Sequence, residues 1–479
     1  MKNSISQLIA HAVWATLLCA SCAVPRLPVD VRPQSLPGSF AGQSDPINSG
    51  PGNWRLFFAD SILVALVDTA LKNNPDVQMA LQTIERAGAE VLFSRGAMLP
   101  TVQGGTSAAL RRFGLYTMDG AGNASTDILP GRVVPAHLPD FFVGLQTTWE
   151  ADIWGKLRNR KKAAQARFLV SQEGKHLVMT NLIAEVAVSY YQLLALDIEL
   201  DIIGQNIAVQ ENALVIVQVQ KEAAVANALA VQQFEAQLLN TRTLQRGILQ
   251  QIIEAENRLN FLLGRFPQPL RRNKSAFLRG SQVGAQIGSP IELLQNRPDI
   301  RQAEFNLVAT KADLRAVRTA FYPSLAVLGS AGFQAFSPGL LLNTPQSVAY
   351  SLLGSVAGPL VNRSALKAHF RVARANQAEA SYRYQKVVLN AFTEVCNQVT
   401  YLNNLALMRN FKGQEVSILT EGIGTAIELF KTGRATYLEV LLAQQNLLKS
   451  SLDLVIIQHQ QLITNVNVYK ALGGGWQEK

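Results

Sequence analysis

The chain has 479 residues, with 44 Lys and Arg against 34 Asp and Glu, a formal charge of +10, and three cysteines. That length suits two or three domains with sizeable cores. The basic residues are spread along the chain, apart from Arg158, Arg160, Lys161 and Lys162, and are not interleaved with aromatics, which argues against nucleic-acid binding.

Residues 1–21 carry the pattern of an export signal. Lys2 supplies a positive start, and an apolar run from Leu8 to Leu18, broken by His11 and Thr16, is too short to span a bilayer. Ala20 and Ser21 precede Cys22 as in a bacterial lipobox, where cleavage leaves a cysteine that carries lipid. The position three residues before Cys22 is Cys19, with Leu18 one step back, so ordinary cleavage nearby stays open. Cys396 then remains alone, read as a small packed side chain, and three cysteines cannot build a disulfide framework. Residues 22–53 are proline-rich and read as an extended linker. No later stretch of about 18 apolar residues follows.

The rest of the chain repeats itself. Asn73-Asn74-Pro75-Asp76-Val77 returns as Asn296-Arg297-Pro298-Asp299-Ile300, and Pro100 and Pro323 each follow 25 residues later. Leu263-Gly264 returns 209 residues on as Leu472-Gly473. The expected halves are 54–270 and 285–475, joined by a connector at 271–284.

Each half predicts a helix, a strand pair and then very long helices. No proline lies between Pro139 and Pro267, or after Pro359, and these stretches are rich in Ala, Leu, Gln, Glu, Lys and Arg. Leu441, Leu448, Leu452, Val455, Leu462, Val466 and Tyr469 fit a heptad seam, as do Phe392, Val395, Val399 and Leu402. A helix over 156–221 would reach roughly 100 Å. Strands are expected near 101–112, 140–151, 324–336 and 347–357, where residues alternate with period two; Phe141, Val143, Leu145, Thr147, Trp149 and Ala151 share one face. Each has the length a tilted strand needs to cross a bilayer. Four strands cannot close a barrel, and an open edge cannot face lipid. Either the strands form a sheet in water, or several chains pool them; three chains would supply twelve.

Signals of catalysis are absent from the sequence. His11, His137, His176, His369 and His459 lack partners at metal-ligand spacing, and Gly422-Ile423-Gly424 lacks a third glycine for a phosphate loop. Glu150 and Asp152 could share a strand face, but they fit a structural role at a strand–helix junction better. His459 lies near the last seam as a packed or tunnel-facing residue. No catalytic residue, metal or cofactor is expected.

Four segments carry a family resemblance: Trp149-Glu150-Ala151-Asp152-Ile153-Trp154-Gly155-Lys156, Arg297-Pro298-Asp299-Ile300-Arg301-Gln302-Ala303-Glu304, Phe321-Tyr322-Pro323, and Leu472-Gly473-Gly474-Gly475-Trp476. Together and in order they resemble the outer-membrane efflux proteins, the TolC-type channels, and within them the NodT-like lipoprotein branch. The resemblance implies an α+β membrane protein: a homotrimer with a twelve-stranded outer-membrane barrel and a long α-helical coiled-coil tunnel in the periplasm. It implies a passive exit duct for small molecules, anchored by lipid at Cys22. The implied partners are a periplasmic adaptor and an inner-membrane pump of the resistance–nodulation–division (RND) class. A type I secretion duct and a periplasmic coiled-coil adaptor are the alternatives; an adaptor would not need four bilayer-length strands.

The tunnel should close where the long helices turn back, near 222–228 and 431–437. By resemblance, Phe430, Gly433 and Ala224 belong to an adaptor-docking turn, and Glu439, Leu442 and Arg434 to the gate. Three Glu439 side chains would attract divalent cations or pair with Arg434; the plainer alternative is that both are solvated charges. Two departures put the acidic gate in question. Leu442 stands where a second acid often follows, and Ala224 where glycine is frequent. Leu442 would then narrow the pore as an apolar ring.

Overall fold

The computed structural model describes residues 24–27, 36–40, 52–58, 60–279, 286–359 and 363–477. The signal sequence, Cys22 and most of the expected linker lie outside them. The chain divides into two compact units, one containing 86–168 and 306–381, the other 32–85, 169–305 and 382–479.

The main elements are α1 (Ser61–Asn73), α2 (Pro75–Gly96), β1 (Thr101–Arg111), β2 (Leu138–Ala151), α3 (Lys156–Glu222), α4 (Ala228–Leu262), α5 (Pro298–Thr319), β3 (Ser324–Ala335), β4 (Val348–Ala357), α6 (Ser364–Lys431) and α7 (Tyr437–Ala471). Their lengths match in pairs. α2 and α5 have 22 residues each, α4 and α7 have 35 each, and α3 and α6 have 67 and 68. The segment between β1 and β2 holds a short helix, Met118–Ser125, and a small ribbon of Asp127–Leu129 with Arg132–Val133.

In the first unit the four long strands form one antiparallel sheet in the order β1-β2-β3-β4. The register pairs Val102 with Thr147, Thr147 with Gly329 and Gly329 with Leu352. Since side chains alternate, this sorts the sheet into two chemically different faces. One carries Val102 and Leu110, then Phe141, Val143, Leu145 and Trp149, then Leu325, Val327 and Phe333, then Val348, Tyr350, Leu352 and Val356. The other carries Gln103, Ser107, Asp140, Gln146, Thr148, Ser330, Gln334, Ser351 and Ser355, with Leu138, Phe142, Leu328 and Leu353 as apolar exceptions. On the apolar face Tyr350 is 85% and Leu352 79% exposed. On the polar face Gln334 donates to Asp140 at 2.7 Å, and the Ser330 and Ser351 hydroxyls lie 2.8 Å apart.

The second unit is helical. Its largest core gathers Leu63, Val67, Val186, Tyr190, Leu193, Leu259 and Leu263 with the α7 seam residues Leu448, Val455, Leu462, Val466 and Tyr469. A second core holds Phe40, Leu293, Ile300, Val395, Val399 and Leu472, with Phe392 stacked on Phe40 at 5.4 Å between centroids. Burying large aliphatic side chains stabilises by about 1.5–3 kcal/mol each. Such long helices therefore hold by their seams, since propensity alone is weak.

The same junction is built twice in this unit. Gly264 follows the end of α4 and Gly473 the end of α7, both with positive φ, as glycine after a helix end permits. A Cβ at Gly264 would collide with the Asn73 carbonyl, and one at Gly473 with the Asn296 carbonyl. Beside them Asn74 donates to the Leu262 carbonyl at 2.9 Å, and Arg297 donates to the Ala471 carbonyl at 2.8 Å. Arg297 additionally binds Asp299 at 2.8 Å and Glu394 at 2.9 Å. Burial lowers the Arg297 pKa, but Asp299 and Glu394 outweigh that and hold the guanidinium above its ordinary value.

Candidate functional site: the two helix turns

The turn between α3 and α4 and the turn between α6 and α7 share one backbone scaffold, position by position at the 209-residue spacing. In the first, Ala224 N–H donates to Lys221 O at 3.0 Å, and Val225 and Ala226 N–H donate to Gln220 O at 2.8 and 3.1 Å. In the second, Gly433 N–H donates to Phe430 O at 3.1 Å, and Arg434 and Ala435 N–H donate to Leu429 O at 2.9 and 3.2 Å. These bonds satisfy carbonyls that a helix end leaves open. Both need one left-handed residue: Ala224 has φ 55° and Gly433 φ 71°. Alanine there costs about 1 kcal/mol that glycine avoids.

The following helices start differently. Asn227 caps α4 by accepting from Ala230 N–H at 2.9 Å. At the corresponding place in α7, Glu439 Oε2 accepts from the Thr436 N–H at 2.6 Å and from its hydroxyl at 3.2 Å. This is the glutamate half of a capping box. Within the chain Glu439 and Arg434 do not pair: the carboxylate turns back on its own helix start, and among the described residues Arg434 makes no ion pair. Glu439 and Leu442 are exposed, one turn apart on the same side of α7.

Phe430 is half-buried. It packs with Val217, Phe234, Ile427 and Val440, lining an apolar pocket of about 210 Å³ between the helices. One turn further along α7, Gln444 is fully buried and neither of its amide atoms has a hydrogen-bond partner among the described residues. Its trace in the sequence is the polar pair Gln444-Gln445 where the seam between Leu441 and Leu448 calls for an apolar residue. His459 Nε2 also lacks a partner there, and burial lowers its pKa to about 4.

The strand–helix signature acts as a joint. Asp152 accepts from Leu157 and Arg158 N–H at 2.9 and 2.8 Å, capping α3, while Glu150 binds Lys156 at 2.8 Å. Burial raises the Asp152 pKa, but hydrogen bonds from Arg158 and Leu157 overcome it and hold the carboxyl below its ordinary value. Gly155 makes the bend with φ 78°, and Trp154 donates to Pro323 O at 2.7 Å and stacks on Tyr322 at 4.8 Å. Both carboxylates are thus engaged in the joint.

Comparison with known families decides the kinship. The outer membrane efflux protein family matches residues 66–265 and 290–474. The chain belongs to that family. It is 25% identical over 473 residues to the cation efflux system protein CusC of Escherichia coli O6:H1, covering 98% of each chain. It is 28% identical over 442 residues to the solvent efflux pump outer membrane protein SrpC of Pseudomonas putida, covering 91% of each. Among solved structures, a CusC crystal structure described in terms of folding and transmembrane channel formation superposes with a TM-score of 0.80 at 25% identity, covering 94% of this chain and 99% of that one.

Proposed function

We propose that three copies of this outer membrane efflux protein pool their sheets into a twelve-stranded barrel and form the exit duct of a tripartite efflux pump. The observation that carries this reading is the two-faced sheet. Its exposed apolar face suits lipid and its polar face suits a water-filled lumen. Its outer strands, β1 and β4, each have one edge with no strand partner among the described residues, and in lipid such an edge must be closed by a neighbour. The matched helix lengths and the twice-built junction support an origin by duplication.

The duct conducts passively, and small molecules of the kind named for its relatives are the cargo. An RND-class inner-membrane transporter and a periplasmic adaptor complete the pump, the adaptor docking at the turns around Ala224, Phe430 and Gly433. Glu439 and Leu442, exposed on one side of α7, form the constriction; Arg434 tunes its charge. Lipid on Cys22 anchors the mature chain.

The test is single-channel conductance of purified trimers in planar bilayers, with and without divalent cations. Glu439→Gln retains the capping oxygen and removes the charge. Discrete conductance, blocked by divalents in the wild type and unblocked in Glu439→Gln, supports both duct and gate. Unchanged block moves the gate to Leu442, and silent but well-folded trimers overturn the duct.

A further inference from the structure

The net charge of this chain sits in one place once the topology is known. Segments 86–100, 152–168, 306–323 and 358–381 hold 15 of the 44 Lys and Arg but 4 of the 34 Asp and Glu. That is a net +11 against +10 for the whole sequence, so everything else is close to neutral. These four segments are distant in sequence. They are also the four pieces that adjoin the strands: α2 leads into β1, β2 into α3, α5 into β3, and β4 into α6.

The register puts all four junctions at the same end of the sheet. Thr101 pairs with Thr148, Ala151 with Leu325 and Ser324 with Ala357. Segments and sheet belong to one compact unit. Lys156, Arg158 and Arg167 are matched by Glu150, Asp152 and Asp313. Arg95, Arg160, Lys161, Lys162, Arg315 and Lys367 have no carboxylate partner among the described residues, and all but Lys161 are exposed. On α3, Arg160 to Lys162 lie within about 10 Å of the helix start. The headgroup layer beside the hydrocarbon core is about 5–8 Å deep, so these side chains lie within reach of it.

We propose that these helix ends form a basic collar that binds the anionic headgroups of phospholipids in the periplasm-facing leaflet of the outer membrane. The proposal rests on the sheet being the wall of a membrane barrel. A barrel crossing the bilayer places its helix-bearing end at that leaflet, and unpaired guanidinium and ammonium groups meet phosphodiester oxygens there with complementary charge. The polar face of the sheet does not share the excess: strands β3 and β4 carry no charged residue.

The experiment uses full-length trimers in nanodiscs of mixed phosphatidylcholine and phosphatidylglycerol, with the lipids that remain bound counted by native mass spectrometry. The wild type should retain phosphatidylglycerol over phosphatidylcholine by at least about fivefold relative to the bulk mixture, taking about fivefold per basic residue near a surface at low salt. The enrichment should fall towards parity in the quadruple variant Arg160→Gln, Lys161→Gln, Lys162→Gln, Arg315→Gln, and in the wild type at high salt. A control with the exposed Lys221→Gln, Arg246→Gln, Arg271→Gln and Lys449→Gln should keep it. If the collar variant does not fold, the salt dependence of wild-type retention decides. Equal enrichment in variant and wild type, or none in the wild type, overturns the collar. Altered ion selectivity with unchanged lipid retention would also overturn it, by placing these charges in the pore. Planar-bilayer conductance of the same preparation separates the two levels: conducting trimers without lipid preference sink only the collar, and silent trimers sink the duct.

Discussion

The two halves of this chain build the same backbone with different chemistry. Gly264 and Gly473 press on equivalent carbonyls, and the turns after α3 and α6 repeat the same hydrogen bonds. In the first half the side chains that finish these features are neutral: Asn74 at the junction, Asn227 at the cap, Ala224 in the turn. In the second they are charged or specialised: Arg297, Glu439, Gly433. Geometry is held in common, while the side chains that finish these three features differ between the copies.

The junctions offer the sharpest way to break the comparison. Arg297→Ala strands Asp299 and Glu394 and frees the Ala471 carbonyl, so it should destabilise by about 3–5 kcal/mol in denaturant unfolding. Asn74→Ala removes one neutral bond to the Leu262 carbonyl and should cost only about 1–3 kcal/mol. Equal losses would mean that the charged network adds nothing to the shared backbone.

Next in size is a pH effect. His459 corresponds to Gln250, which binds Glu254 at 2.9 Å. With a folded pKa of about 4, below the ordinary value near 6.5, His459 stays neutral in the folded state while the unfolded chain takes up a proton. Stability attributable to it is therefore complete above pH 6.5 and is lost as pH falls towards 4. The loss should be roughly 3 kcal/mol per chain by pH 4 and absent in His459→Gln. Thermal melts of both proteins across that range give the answer; parallel curves would contradict it.

The turns predict the smallest and most symmetrical pair. Gly433→Ala meets no neighbouring atom within 4 Å, so it should cost only the left-handed backbone penalty of about 1 kcal/mol. Ala224→Gly should stabilise by up to about 1 kcal/mol, because it relieves that same penalty.

Much of this architecture is legible in the amino-acid order. A proline-free stretch with a heptad seam announces a long helix, and Val455, Leu462 and Val466 of that seam are buried. Period-two alternation announces the four strands, and the 209-residue spacing points to both turns. What stays hidden depends on partners distant in sequence. Arg297 reads as part of a signature, but its ties to Glu394 and Ala471 need the fold. Glu439 suggests a gate charge, whereas its capping role appears only with the start of α7 at Tyr437. Phe430 reads as a member of a docking turn, and that it also lines an apolar pocket with Val217, Phe234 and Val440 needs the fold. The basic segments look scattered until the strand register brings them to one end of the sheet.

The central claim is that separate chains close one barrel through β1 and β4. Cysteines placed at Gln103 or Ser107 in β1, combined with Ser351 or Ser355 in β4, put one thiol on each outer strand on the polar face. Mild oxidation of the membrane-inserted protein should give covalent dimers and trimers for at least one pairing. Reduction should return the monomer, and single-cysteine controls should not cross-link. Well-folded, membrane-inserted protein that stays monomeric for every pairing would contradict the account.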